Sequence, residues 1–91
     1  MASSFSQTVT IVNQLGLHAR AATKLAQLCK QFDAHIELQQ EGSTADASSV
    51  LALLMLASSK GKNVDVVTNG NQAEAALHAV VELIASGFDE D

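Results

Sequence analysis

Aromatic side chains are scarce in this chain: three phenylalanines, no tyrosine and no tryptophan among 91 residues. Proteins that stack nucleic-acid bases need such rings, so their scarcity argues against a nucleic-acid module. Basic residues are also few, five against ten acidic ones, and the formal net charge of −5 repels a nucleic-acid backbone. A phosphate ligand on such a chain needs a local device. The single cysteine, Cys29, has no second thiol to pair with, which suits a reducing compartment and makes the cytoplasm the expected location. No apolar run exceeds the eight residues 50–57, against the ~20 that a spanning helix requires, so no membrane insertion is expected. Residues 1–6 lack the basic patch and apolar segment of a secretory signal and read as a short flexible leader.

What is present is aliphatic. Hydrophobic residues make up 47 % of the chain, so a core of Ala, Val, Leu and Ile is expected within one domain spanning residues 1–91, near the small end of what folds without disulfides or metals. Residues 8–13 alternate with a period of two and read as a half-buried strand. After Gly16, apolar residues recur at helical spacing from Ala19 through Ala22, Leu25, Ala26 and Cys29 towards Phe32. Ala34, Ile36 and Leu38 alternate with His35, Glu37 and Gln39 as a second strand with one wet face. A short third strand at residues 44–47 precedes Ser48 and Ser49, which offer N-caps to the apolar run that follows. Residues 64–68 form a fourth strand. Asn71 with Glu74 has the spacing of a capping box for a third helix, which Gly87 ends and on which Phe88 folds back. The order βαββαβα with alternating strands predicts an α+β open-faced sandwich: a four-stranded, mostly antiparallel sheet carrying three helices on one face.

The most informative stretch is Leu15-Gly16-Leu17-His18-Ala19-Arg20. His18 stands where a helix would ordinarily begin with Ser, Thr, Asp or Asn, and a histidine caps a helix poorly. Its other properties suit the place. The first turn, containing Ala19 and Arg20, directs free N–H groups and a partial positive charge outward, which makes an anion site. Arg20 adds a guanidinium that can hold phosphoryl oxygens. An imidazole, with an ordinary pKa of about 6.5, is largely neutral at pH 7 and has a lone pair to attack phosphorus. The N–P bond so formed is labile, so the group can be passed on. No carboxylate in the local motif stands ready to activate water. An isolated His-x-Arg is more often a surface loop; the strand and glycine before it and the helix after it favour phosphoryl chemistry.

With these residues the sequence resembles the histidine-containing phosphocarrier proteins, the HPr family of the phosphoenolpyruvate-dependent phosphotransferase system. The likeness runs from Gln7 to Phe88, supported by residues 49–54 and by Lys60-Gly61 before the fourth strand. It implies that His18 is phosphorylated on Nδ1 with Arg20 as partner, that enzyme I is the donor and an enzyme IIA the acceptor, and that the protein is a stoichiometric phosphohistidine carrier rather than a stand-alone turnover enzyme. It also matches Ser49 to a serine that is a regulatory phosphorylation site in some members, although a plain N-cap explains Ser49 without regulation. Many relatives have proline where this chain has Ala21, and this chain contains none. Proline in a first helical turn is optional because the N–H it removes has no helical partner. Its absence, with the ending Ser86-Gly87-Phe88-Asp89-Glu90-Asp91, points to the nitrogen-related branch rather than the sugar-transport branch.

Beside the histidine, the second helix is apolar nearly all round, and one face of a short helix buries only about half its residues. Val50, Leu51, Leu53 and Leu54 are therefore expected to dock partners. His35 and His78 lack neighbours at metal-ligand spacing and read as surface residues; Cys29 reads as core, Lys60-Gly61-Lys62 as a turn, and residues 89–91 as a solvated acidic tail. No metal or cofactor is called for, and a monomer suits a carrier that presents one small site to successive partners. Two readings of other classes stand beside this one: a small acylphosphatase-type phosphohydrolase, which would need a water-positioning group beside Arg20, and a docking regulator that acts without chemistry.

Overall fold

The computed structural model describes residues 4–90. Residues 1–3 of the leader expected at residues 1–6, and the last tail residue, Asp91, lie outside that range. Seven elements follow in the expected order: β1 (Ser4–Thr10), α1 (Ala19–Cys29), β2 (His35–Gln40), β3 (Ser43–Asp46), α2 (Val50–Leu56), β4 (Asn63–Asn69) and α3 (Ala73–Ala85). The sheet order is β1-β4-β2-β3, and every neighbouring pair is antiparallel. Because β4 inserts between β1 and β2, the first β-α-β passage is split, with Gln7 opposite Val66 on one side and Leu38 opposite Val66 on the other.

One sheet face carries the core. Ile36, Leu38, Val64 and Val66 are buried between strand neighbours that face water, the period-two pattern expected of a half-covered sheet. Against them α1 lays Ala21, Ala22, Leu25, Ala26 and Cys29, a stripe at helical spacing, and α3 lays Ala73, Ala76, Leu77, Val80 and Ile84. Each fully buried leucine or isoleucine contributes about 1.5–3 kcal/mol relative to exposure. Burial also pushes the Cys29 thiol up to about 12, which leaves it a core residue and no nucleophile.

Two local expectations need correction. The first strand begins at Ser4 and ends at Thr10, so residues 4–6 belong to the sheet and not to a leader. This edge strand is mostly exposed and polar, which is how sheets keep edges from aggregating and also why apolar alternation is faint there. Asn71 does not cap α3: the N-cap position is Gln72, without a side-chain cap bond, and the Asn71 amide donates to Asp33 at 2.9 Å. The α3 C-terminus is as expected, with Phe88 N–H donating to Leu83 O at 2.9 Å and the Phe88 ring wholly buried.

Candidate functional site

His18 opens α1 as its N-cap, in an extended backbone conformation, and the ring itself closes the cap: Nδ1 accepts from the Arg20 N–H at 3.3 Å. Gly16 makes this placement possible. It has φ +63°, and a Cβ there would lie 2.7 Å from the Ser58 carbonyl oxygen and 2.8 Å from Ser59 Cα, both backbone atoms. Only glycine lets the loop pack this closely, and the Leu17 N–H then donates to Ser58 O at 2.9 Å, which fixes the approach to the helix.

The other ring nitrogen meets the chain's end. His18 Nε2 lies 2.5 Å from Glu90 Oε2, and Glu90 Oε1 accepts from Asn13 Nδ2 at 3.1 Å. These partners settle the ring's protonation pattern. A backbone N–H only donates, so Nδ1 bears the lone pair; a carboxylate only accepts, so Nε2 bears the proton. The hydrogen bonds from His18 and then Asn13 hold the Glu90 carboxyl below the usual carboxylate range, with the positive charge of Lys24 adding to them. Lys24 also ties the tail down, donating from Nζ to Phe88 O at 2.8 Å.

Leu15, His18, Ala19, Arg20, Lys24, Asp89 and Glu90 line one cleft. Arg20 is exposed at its rim, and its guanidinium has no ion-pair partner among the described residues. The cleft thus joins a nucleophilic nitrogen, a helix N-terminus and an uncommitted guanidinium, the parts needed to receive a phosphoryl group. Local sequence does not single out Glu90, which reads as part of a solvated tail, or Asn13, which closes the expected strand 8–13 and is buried in the structure.

Ser49 is the N-cap of α2, its Oγ accepting from Ala52 N–H at 3.2 Å. The helix surface splits the expected docking set. Leu51 and Leu54 are exposed and Val50 is half-buried, but Leu53 is wholly buried and belongs to the core. Met55 on the same helix and Leu15 in the loop before α1 are exposed as well. His35 lies on the sheet surface 2.9 Å from Glu37, and His78 is exposed on α3.

Similarity to known proteins agrees with this geometry. Residues 5–86 match the family model described as "PTS HPr component phosphorylation site". The chain is 55 % identical over 86 residues to the phosphocarrier protein NPr of Escherichia coli (strain K12), covering 93 % of this chain and 96 % of that one. It is 42 % identical over 83 residues to the phosphocarrier protein HPr of Pseudomonas aeruginosa, covering 90 % and 92 %. Among solved structures, HPr-C-His from Thermoanaerobacter tengcongensis superposes with a TM-score of 0.91 at 32 % identity, covering 96 % of this chain and 98 % of that one.

Proposed function

The chain belongs to the HPr family of phosphocarrier proteins, and from that premise we propose that His18 Nδ1 is the atom that carries the phosphoryl group. The protein is a phosphocarrier of the phosphotransferase system, in its nitrogen-related branch. The observation that carries the assignment of His18 is its tautomer: both partners leave the lone pair on Nδ1, at the positive end of α1. In the step we propose, that lone pair forms the N–P bond while the bond from phosphorus to the donor breaks, its electron pair leaving with the donor. The incoming oxygens take over the Arg20 N–H from Nδ1, and the Arg20 guanidinium swings onto them from the rim, stabilising the charge that a loose phosphoryl transfer spreads over three oxygens. Transfer onward is the same step in reverse with a new acceptor.

In this reading phosphorylated enzyme I is the donor and an enzyme IIA the acceptor. Each docks on the exposed apolar residues Leu51, Leu54 and Met55 of α2 and on Leu15, which lines the cleft. No described helix is long and apolar enough to cross a membrane, and we place the carrier in the cytoplasm as a monomer. Ser49 we read as the cap of α2.

The test is phosphorylation by phosphoenolpyruvate with nitrogen-branch or sugar-branch enzyme I, read as phosphohistidine by phosphorus NMR. Labelling on Nδ1 that disappears in His18→Ala is the expected result. Labelling that persists in His18→Ala would remove the assignment, steady release of inorganic phosphate without a partner would favour a phosphohydrolase, and no labelling by either donor would favour a docking regulator.

A further inference from the structure

At the far side of the cleft, Asn13, His18 and Glu90 form one hydrogen-bonded chain that joins the loop before α1 to the tail. Asn13 Nδ2 donates to Gly16 O at 2.8 Å and to Glu90 Oε1 at 3.1 Å, while Glu90 Oε2 accepts from His18 Nε2. Both Asn13 partners are acceptors, so the amide can face them only with its nitrogen. Asn13 is 6 % exposed, and the side chains of His18 and Glu90 are 24 % and 18 % exposed. The tail that delivers Glu90 is anchored on both sides: the Phe88 ring is wholly buried, Lys24 holds the Phe88 carbonyl, and Glu90 N–H donates to Gly87 O at 3.1 Å. Gly87, at φ +73°, gives the turn that brings the tail back over Asn13. Glu90 lies beyond residue 86, where the match to the family model ends.

Resting on the assignment of His18 above, we infer that Asn13 and Glu90 are a positioning pair for phosphoryl transfer, in which Asn13 aims the Glu90 carboxylate at His18 Nε2. When Nδ1 donates its pair to phosphorus, the ring becomes an imidazolium whose positive charge is shared with Nε2–H. The Glu90 carboxylate stands on that proton and stabilises the charge as it develops. Nε2 keeps its proton throughout, so no base is consumed, and on departure of the phosphoryl group the ring returns to the same tautomer. The logic is that of a carboxylate orienting a catalytic histidine in a hydrolase triad, transferred to a carrier in which the imidazole is itself the nucleophile. Asn13 does a second task with the same nitrogen, bracing Gly16 O and so the loop that sets His18 on its helix.

The experiment is steady-state phosphorylation by enzyme I and phosphoenolpyruvate with Glu90→Gln, Glu90→Asp and Asn13→Ala, together with ¹⁵N NMR of the His18 ring in the parent protein and in Glu90→Ala. Glu90→Gln retains shape and removes charge from a half-buried tail side chain outside the core, so folding is not at issue. The expected result is a fall in kcat of about tenfold with KM for the carrier unchanged, partial recovery in Glu90→Asp, and a comparable loss in folded Asn13→Ala. The Nε2-bound proton should be protected from solvent exchange in the parent protein and exchange freely in Glu90→Ala. An unchanged kcat in Glu90→Gln, a loss confined to KM, or a ring proton equally protected in Glu90→Ala would each overturn the inference. Phosphohistidine formed normally in all these variants would leave the assignment of His18 standing, whereas an unlabelled parent protein would remove both.

Discussion

Two helix N-termini in this fold are built alike and do different work. At α2, Ser49 Oγ accepts from the Ala52 N–H at 3.2 Å, the usual reach from cap to third helical residue. At α1, His18 Nδ1 accepts from the Arg20 N–H at 3.3 Å, only two residues on. Serine offers a small hydroxyl to that N–H. The imidazole commits the lone pair that would attack phosphorus to a long bond that an incoming phosphoryl oxygen can take over, and its second nitrogen is held by the tail. The α1 cap is thus a weak bond at a nucleophilic atom, and the α2 cap a bond that ends in structure.

The sharpest way to break the comparison is His18→Ser, which makes the two caps alike. Phosphoryl acceptance should vanish while the melting temperature stays within a few degrees of the parent, since serine is the better cap; surviving acceptance would mean another residue carries the group. Gly16→Ala should come next. It forces a Cβ onto the backbone of Ser58 and Ser59 at a positive φ, so chemical denaturation should show a loss of about 2 kcal/mol or more, with acceptance falling as the loop shifts. Arg20→Ala should leave stability unchanged and slow acceptance about ten- to a hundredfold by stopped-flow transfer, because the N–H groups of the helix remain. Ser49→Ala should cost about 1 kcal/mol in urea unfolding and leave the intrinsic transfer rate alone.

The smallest expected difference is one of pH. The Glu90 carboxyl is held below its usual range by His18 and Asn13. A group with a lowered folded value stabilises above its unfolded value and loses that contribution as pH falls through the folded one. The tail contact at α1 should therefore persist through neutral pH and release in acid below the ordinary carboxylate range, followed as a change in the Asn13 side-chain amide resonance. The hydroxyl cap of α2 has no titrating group, and the Ala52 amide resonance should not follow that transition.

Much of this architecture could be read before any coordinates, and the misreadings share a cause. The element order and the His18-Ala19-Arg20 motif were readable because period, glycine and helix start are local signals. The α2 run 50–56 has no polar face to break its symmetry, so periodicity could not say that Leu53 faces the core while Leu51 and Met55 face water. Asn71 and Glu74 had capping-box spacing, but Asp33, 38 residues away, took the Asn71 amide. Glu90 looked like part of a solvated acidic run because nothing near it in sequence distinguishes it from Asp89.

By itself, then, the sequence determined the βαββαβα order, the aliphatic core and the histidine at the mouth of α1, since each follows from spacings of a few residues. Only the tertiary structure decided which apolar side chains of α2 are exposed, and that a carboxylate 72 residues beyond His18 holds its ring. The physical reason is chain closure: burial of Phe88 and the turn at Gly87 carry the tail back across the sheet's helical layer, and hydrogen-bond partners chosen by that return have no signature in local sequence.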